Sequence, residues 1–304
     1  MESFRFIACR GRRQRDHAER EQSAPRASRE GAAPRRVPAP WYGVCAVCAL
    51  LLPRCEAANV ASYSVSNTPA YYSGDFHSGR RLSIFDDATT ITLRKHRWTV
   101  GLTLPYVEIH DLPNGATYNR GAVLNGAPAS GASDVSGLGD LQLLLRTKVA
   151  SSRGLRPTVS PYLQVDIPTA STSKGLGTGL ASYTAGVELR ENLGWVFPYA
   201  QAGYAFVQSN AVYRLRDAWV WNIGVAAAVF QSRRYGSNFL SLGYSGNTSE
   251  VPGESGVQVV ELAWEHQFPW IGSRAFSLQP FLLKGLTSSS PDFGGGVELT
   301  VLFR

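Results

Sequence analysis

Apolar and polar residues alternate along most of the chain after residue 58, and no segment there shows the 3.6-residue apolar spacing of an amphipathic helix. From Asp86 onward, alternating stretches recur about every 16 to 20 residues, with one longer gap. The clearest examples are "LQLLLRTKV" (141–149) and "SYTAGVELR" (182–190). Because a period of two places successive side chains on opposite faces of a strand, the pattern predicts an all-β chain.

The predicted strands are about ten residues long, which is the length that crosses a bilayer when a strand is tilted. Strands in soluble sheets are usually shorter, about five or six residues. Eleven strands are predicted at 89–94, 98–109, 141–149, 162–167, 182–190, 197–208, 218–231, 237–247, 257–268, 276–287 and 294–303. The weaker segment "SYSVSNTPAYY" (62–72) supplies a twelfth and gives the even number expected when both ends of a bacterial barrel lie in the periplasm. We therefore expect a transmembrane antiparallel up-and-down β-barrel of twelve strands.

The connections between these strands fall into two sets. Those at 95–96, 150–156, 191–196, 232–236 and 269–275 are short. The other set includes the long segments 111–137 and 169–180, which are rich in small and polar residues. Transmembrane barrels have short periplasmic turns and longer outer loops, so this asymmetry favours the barrel.

Charged residues within the predicted strands stand opposite apolar neighbours. Five are basic and five are acidic: Arg94, Arg146, Lys148, Asp166, Glu188, Arg190, Glu261, Glu265, Lys284 and Glu298. A lysine or arginine facing lipid at mid-membrane would cost about 2–4 kcal/mol, so we expect these side chains to face the lumen. Aromatic residues cluster near the strand ends, as interfacial girdles do. The alternative is the solvated face of a soluble β-sandwich.

The first 57 residues differ from the rest. They contain all four cysteines, and their 11 arginines and 6 acids account for most of the positive charge. The apolar run 41–52 is too short to span a bilayer as a helix, which needs about 20 residues. With Arg35 and Arg36 before it and Cys55 and Ala57 after it, the run resembles a cleaved secretory signal. We expect a disordered extension or mis-assigned start at 1–34, a signal peptide at 35–57 and the barrel at 58–304.

Sequence motifs for chemistry are weak. "CAVC" (45–48) has the spacing of a metal or redox pair but lies in the segment expected to be removed. The glycines at 175, 177 and 179 precede a strand instead of a helix, so we expect them to shape a connection and not to cradle phosphate. No G-x-S-x-G elbow occurs, and the part after residue 57 lacks a strongly basic character. We predict no enzyme, no cofactor, no metal and no nucleic-acid partner.

Several motifs resemble an outer-membrane family named for a meta-pathway of phenol degradation. They are "SGLGDLQL" (136–143), "VDIPTASTSKGLGTGLASY" (165–183), "PYAQAGYAF" (198–206) and "SSSPDFGGGVELTVLF", which ends at Phe303. The resemblance implies a barrel in a Gram-negative outer membrane that passes small apolar or aromatic compounds. It carries over these loop and strand-end positions: Gly139, Asp140, Pro168, Thr169, Leu176, Gly177, Thr178, Gly179, Ser290, Pro291 and Asp292. An acidic residue usually precedes the tyrosine of the second motif, where this chain has Ser182.

Two functions follow as hypotheses. The first is a passive channel or uptake pore for small solutes, including aromatic or apolar ones. We expect its ion selectivity to be weak because the ten predicted lumen charges balance. The second is a non-conducting structural or surface-binding barrel whose loop 111–137 binds a partner. On either hypothesis the expected partners include outer-membrane lipid and the barrel-assembly machinery, and the channel adds small-molecule solutes.

Overall fold

The computed structural model of the protein describes residues 61–125, 133–151, 156–232 and 234–303. The predicted extension at 1–34 and the predicted signal peptide at 35–57 lie outside the described residues. Within the described ranges, no helix is long and apolar enough to cross a membrane.

Fifteen strands are present in the described ranges. They are β1 (Ser62–Gly74), β2 (Leu82–Lys95), β3 (Trp98–His110), β4 (Ala116–Asn119), β5 (Ala122–Asn125), β6 (Val135–Leu138), β7 (Leu141–Thr147), β8 (Thr158–Ile167), β9 (Ser182–Arg190), β10 (Val196–Val207), β11 (Ala218–Ser232), β12 (Gly236–Asn247), β13 (Gln258–Gln267), β14 (Arg274–Gly285) and β15 (Phe293–Phe303). A single 3₁₀ turn at Thr172–Lys174 is the helical element of the described part.

Thirteen of these strands form one antiparallel sheet that closes on itself. β1 pairs with β2 on one side and with β15 on the other, and neighbours along the chain pair throughout the remainder. β6 and β7 both pair with β3, so together they occupy one position in the wall. β4 and β5 pair only with each other. The wall therefore has twelve positions, and the predicted twelve-stranded antiparallel barrel is confirmed.

The connections alternate between the two ends of the barrel. Residues 96–97, 148–151, 156–157, 191–195, 234–235 and 268–273 lie at the end we call the turn end, where residues 61 and 303 also lie. The opposite end, which we call the loop end, carries 75–81, 111–125, 133–134, 168–181, 208–217, 248–257 and 286–292. Transmembrane barrels have short turns at one end and longer loops at the other, as this barrel does.

The outer face of the wall is apolar. Large side chains such as Leu282 (69% exposed) and Ile223 (52%) point away from the barrel, where only lipid could bury them. Exposed aromatic side chains form two bands, with Tyr63, Trp98, Trp195, Phe268 and Phe276 toward the turn end and Tyr71, Tyr106, Phe206, Trp219 and Phe293 toward the loop end. These are the two girdles of a transmembrane barrel.

Two tyrosines on the inner face lie along the wall. Tyr162 of β8 faces Gly186 of β9, which in turn faces Gly203 of β10. A Cβ on Gly186 would lie 2.6 Å from Cε1 of Tyr162, and one on Gly203 would collide with the Tyr162 hydroxyl. Glycine at both positions lets the ring run across two neighbouring strands without projecting into the lumen.

Tyr199 of β10 repeats this arrangement over the next two strands. It faces Gly224 of β11, and Gly224 faces Gly243 of β12. A Cβ on Gly224 would lie 2.5 Å from Cζ of Tyr199, and a Cβ on Gly243 would lie 2.8 Å from its hydroxyl oxygen. The rings of Tyr162 and Tyr199 therefore lie against the wall and do not fill the centre of the barrel.

Substitution of Gly203 tests this packing. We expect Gly203→Ala to destabilise the folded barrel by about 1–3 kcal/mol, because the added methyl group forces Tyr162 off the wall. Gly101→Ala is the matched control, since it lies on the inner face of β3 and its nearest neighbour would be Cβ of Leu144 at 3.5 Å. The temperature at which the folded form is lost from a heated gel series measures both, and equal temperatures would contradict the packing argument.

Candidate functional site: an inward hairpin at the loop end

Strands β4 and β5 form a hairpin, which we call the inner hairpin (Ala116–Asn125). Thr117 pairs with Leu124 and Asn119 with Ala122, so Arg120 and Gly121 make a two-residue turn. Both turn residues have positive φ, 50° and 90°. A two-residue turn of this kind suits the right-handed twist of the flanking strands, but arginine seldom adopts positive φ. A residue held in an unfavoured backbone conformation is a reason to look for a function.

The inner hairpin lies inside the mouth of the barrel. Tyr118 belongs to a buried apolar cluster with inward side chains of β2 and β3, while its backbone N–H donates to the carbonyl of Gly175 at 2.8 Å. Thr117 Oγ1 shares a hydrogen bond of 3.1 Å with the hydroxyl of Tyr213, in the loop between β10 and β11. The hairpin thus contacts opposite sides of the wall and crosses the lumen at the loop end.

Arg120 holds the tip of the hairpin in place. Its Nη1 donates to Asp166 Oδ2 at 2.9 Å and to the Ser182 hydroxyl, and its Nη2 donates to Glu250 Oε2 at 2.9 Å. Ser182 in turn donates to Asp166 Oδ2 at 2.6 Å. We call these four residues the latch. It joins the hairpin to β8 and β9 on one side and, through Glu250, to the loop between β12 and β13 on the other.

The charged side chains of the latch have little exposure to solvent. The side chains of Arg120, Asp166 and Glu250 are 15%, 7% and 17% exposed. Burial alone would lower the pKa of Arg120, but Glu250 and Asp166 raise it by more, so it is raised overall. Burial raises the pKa of the Glu250 carboxyl, and Arg120 offsets only part of that shift. Loss of the guanidinium would leave two buried carboxylates without a cation, which is strongly unfavourable.

The first two family motifs meet at a break in the wall between β6 and β7. Asp140 Oδ1 accepts a hydrogen bond from the Ala170 N–H at 3.0 Å. Thr169 Oγ1 accepts one from the Leu141 N–H at 2.9 Å and donates one to the Gly139 carbonyl at 3.0 Å. Loop 168–181 is therefore bound to the wall at the point where its strand is interrupted.

The glycines of this loop fit it against the wall and the hairpin. Gly175 and Gly179 have positive φ, 72° and 71°, as expected for glycines that shape a connection. A Cβ on Gly177 would lie 2.7 Å from Cβ of Ala170, so this glycine permits a close approach. The strand β9 follows, and nothing in this geometry resembles a phosphate cradle.

The remaining motif positions differ in their surroundings. Leu176 and Thr178 are buried, while Pro168 is exposed. Ser290 Oγ accepts from the Gln258 N–H and donates to the Gln258 carbonyl, both at 2.8 Å, which ties loop 286–292 to β13. A Cβ on Gly74 would lie 2.9 Å from Cα of Pro291, so the same loop packs closely on the end of β1. The backbone N–H of Asp292 lies against the same glycine.

The structure places most of the predicted lumen charges on the inner face. Strand register puts these eight there: Arg94, Arg146, Asp166, Glu188, Arg190, Glu261, Glu265 and Glu298. Glu188 lies between two cations, with Arg146 Nη1 3.1 Å from its Oε2 and Arg190 in contact with its Oε1. Lys148 follows the end of β7 and is exposed at the turn end.

Lys284 departs from the expectation. It stands opposite Val260 and Phe293, so its side chain lies on the outer face near the loop end. The neighbouring inward residues Phe281 and Leu283 are apolar and buried, so both faces of β14 are apolar there and alternation could not assign them. The inner face also carries Asp86, and the inner hairpin adds Arg120. Among the described strands of the wall, six acids and three arginines therefore face the lumen, and Arg120 of the inner hairpin joins them.

A closed, lipid-facing antiparallel wall with a loop segment folded into its mouth defines a transmembrane β-barrel of the outer-membrane kind. The chain belongs to the family described as "Putative MetA-pathway of phenol degradation", whose family model matches residues 66–303. A comparison with curated proteins finds no match.

Solved structures resemble the fold. The COG4313 outer membrane channel from Pseudomonas putida F1 has 13% identity, and the match covers 82% of this chain and 97% of that one with a TM-score of 0.57. The β domain of the Bordetella autotransporter BrkA has 12% identity, 80% and 98% coverage, and a TM-score of 0.48. These likenesses concern the fold.

Among the described residues, no grouping of His, Cys, Asp and Glu could hold a metal ion.

Removal of Arg120 should release the inner hairpin. In a variant with the four native cysteines replaced by alanine, Val123→Cys reports exposure, because Val123 is 2% exposed in the hairpin. We expect Arg120→Ala to destabilise the inward state of the hairpin, relative to the released state, by about 3 kcal/mol. Maleimide labelling of this cysteine should then be about a hundredfold faster. Arg80→Cys in the exposed loop 75–81 is the control and should label at one rate in both backgrounds. An unchanged rate at position 123 would show that the latch does not hold the hairpin.

Protonation of Glu250 at low pH should stabilise the inward state of the hairpin. Its raised pKa means that the inward state binds a proton more tightly than a state in which Glu250 is in water, so this stabilisation is present at low pH and is lost as pH rises through the raised pKa. The charged groups that act on it are Arg120 and Asp166. The backbone N–H of Arg216 donates to the Glu250 carbonyl. Labelling at position 123, relative to position 80, should slow from about pH 7 to about pH 5. Glu250→Gln should remove the change, and faster relative labelling in acid would contradict the sign.

Proposed function

We propose that this protein is an outer-membrane channel for small solutes that opens when the inner hairpin leaves the mouth of the barrel. The observation that carries the proposal is the nature of the obstruction. The hairpin crosses the lumen but belongs to a loop. Outside its own two strands it is held by the latch, a backbone hydrogen bond to Gly175, a side-chain hydrogen bond to Tyr213 and apolar contacts. An obstruction of this kind can be withdrawn without breaking the wall.

The lining of the wall supports a path beneath the hairpin. Tyr162 and Tyr199 lie along the wall over paired glycines, so they leave the centre of the barrel free of their rings. A barrel of eight strands is nearly filled by side chains, whereas 16–18 strands leave an aqueous channel, and twelve is intermediate. A narrow lumen is therefore expected.

Location in the outer membrane is part of the proposal. Two aromatic girdles with an apolar band between them match the cross-section of a bilayer, and a barrel of this fold acts as an outer membrane channel in the Pseudomonas protein. Export by a signal peptide at 35–57 and assembly by the barrel-assembly machinery follow from this location.

The rival is a non-conducting barrel whose loop 111–137 binds a partner. In this conformation Ala116–Asn119 are all buried inside the mouth, so an external partner could not reach them. The inward position favours a role in closing the lumen over a role in surface binding.

Planar-bilayer recordings test the channel. We expect single channels from the wild-type chain, with cations favoured because acids outnumber arginines on the lumen side, and a higher open fraction for Arg120→Ala. Arg80→Ala, which removes an exposed arginine from another loop, should behave as wild type. Silence of both the wild type and Arg120→Ala, together with no solute flux in liposomes, would remove the channel proposal.

A further inference from the structure

We propose that the apolar cluster at the loop end is a binding site for a small phenol, and that the side chain of Tyr118 occupies it while the inner hairpin is in place. This inference rests on the proposed function, because the site becomes available only when the hairpin moves. It adds the chemical class of the solute and the residues that receive it.

The site belongs mainly to the wall. Leu82, Ile84, Val107 and Ile109 are inward residues of β2 and β3 and are almost completely buried. The cluster also contains Val135 of β6 and loop residues Phe76, Leu112, Ala170 and Leu176. From the hairpin, Ala116, Tyr118 and Val123 enter the same cluster. Withdrawal of the hairpin would therefore leave a concave apolar surface with room for one ring, which is the usual form of a site for a small apolar ligand.

The hydroxyl group of Tyr118, which occupies the site, has polar neighbours. The Tyr118 hydroxyl lies near a backbone partner at Gly121, in its own hairpin, so that interaction leaves together with the ring. Burial raises the pKa of Tyr118, and the charge of Asp86 adds to that shift. Across the wall, Asp86 pairs with Val107, which belongs to the apolar cluster. Asp86 is an inward residue of β2, two positions along the strand from Ile84.

Asp86 brings a second, independent observation. Its Oδ1 is buried and makes no hydrogen bond within the described structure. A buried carboxylate oxygen without a donor costs free energy, and such orphaned acceptors call for a donor. A phenolic O–H arriving in the ring site would supply that donor. The wall thus combines an apolar surface for a ring with an acceptor for its hydroxyl, and toluene could satisfy only the first.

The strength of the latch determines the apparent affinity of the protein for a phenol. A solute that binds only when the hairpin is out has an apparent dissociation constant raised by the scarcity of that state. Loss of the latch removes this penalty without changing any residue of the site. Arg120→Ala should therefore bind a phenol more tightly than the wild type, by about a hundredfold.

The experiment titrates purified full-length protein in detergent with 4-methylphenol, the analogue of a tyrosine side chain, by calorimetry. We expect Arg120→Ala to bind about a hundredfold more tightly than Arg80→Ala. Val107→Phe in the Arg120→Ala background should abolish binding by filling the site, with folding checked by heat-dependent gel mobility. Asp86→Asn in the same background should weaken 4-methylphenol and leave toluene unchanged.

The outcomes separate this inference from the channel proposal. If Arg120→Ala raises conductance but binds 4-methylphenol no better than Arg80→Ala does, the site is wrong and the channel stands. Binding that is equal in all variants, including Val107→Phe, places the phenol elsewhere and overturns the inference. Equal effects of Asp86→Asn on 4-methylphenol and toluene would leave an apolar site but refute its preference for a phenol.

Discussion

The pairing of β1 with β15 is the constraint on which the remaining structure depends. Hydrocarbon offers no hydrogen bonds, so every backbone group that crosses the membrane must find its partner within the protein. β1 and β15 run antiparallel from the Tyr63–Phe303 pair to the Ser73–Phe293 pair, which joins the first wall strand to the last. Once the wall is closed, each side chain faces either lipid or lumen, and any selective chemistry is confined to the lumen and the loops.

The inner face then divides into two zones. At the loop end of β2 and β3 it is apolar, while elsewhere, including the loop ends of β8 and β9, it carries arginines, acids and hydroxyl groups. The inner hairpin fits this division, since Tyr118 lies in the apolar zone and Arg120 reaches Asp166 and Glu250. Buried charges tolerate little displacement, so the latch gives the hairpin one position where apolar contacts alone would allow several.

Sequence reasoning found the barrel because its signal is repeated. A period of two, a length near ten residues and regular spacing recur in nearly every strand, and one weak segment, 62–72, was recovered from the requirement for an even number. The same reasoning placed Lys284 on the inner face, because alternation cannot distinguish faces where inward Phe281 and Leu283 are as apolar as their outward neighbours. The turn signal Arg120–Gly121 between alternating residues was present in "ATYNRGAVLN" and could have indicated the hairpin.

The sequence by itself determined the class of structure and the membrane as its solvent, because strand length, alternation and aromatic placement are local properties. Only the tertiary structure decided where the long loop goes. Arg120 meets Asp166, Ser182 and Glu250 at separations of 46, 62 and 130 residues, and no local pattern encodes such distances. The latch exists because closure of the wall brings β8, β9 and the loop after β12 around one lumen, where a buried guanidinium must find its carboxylates.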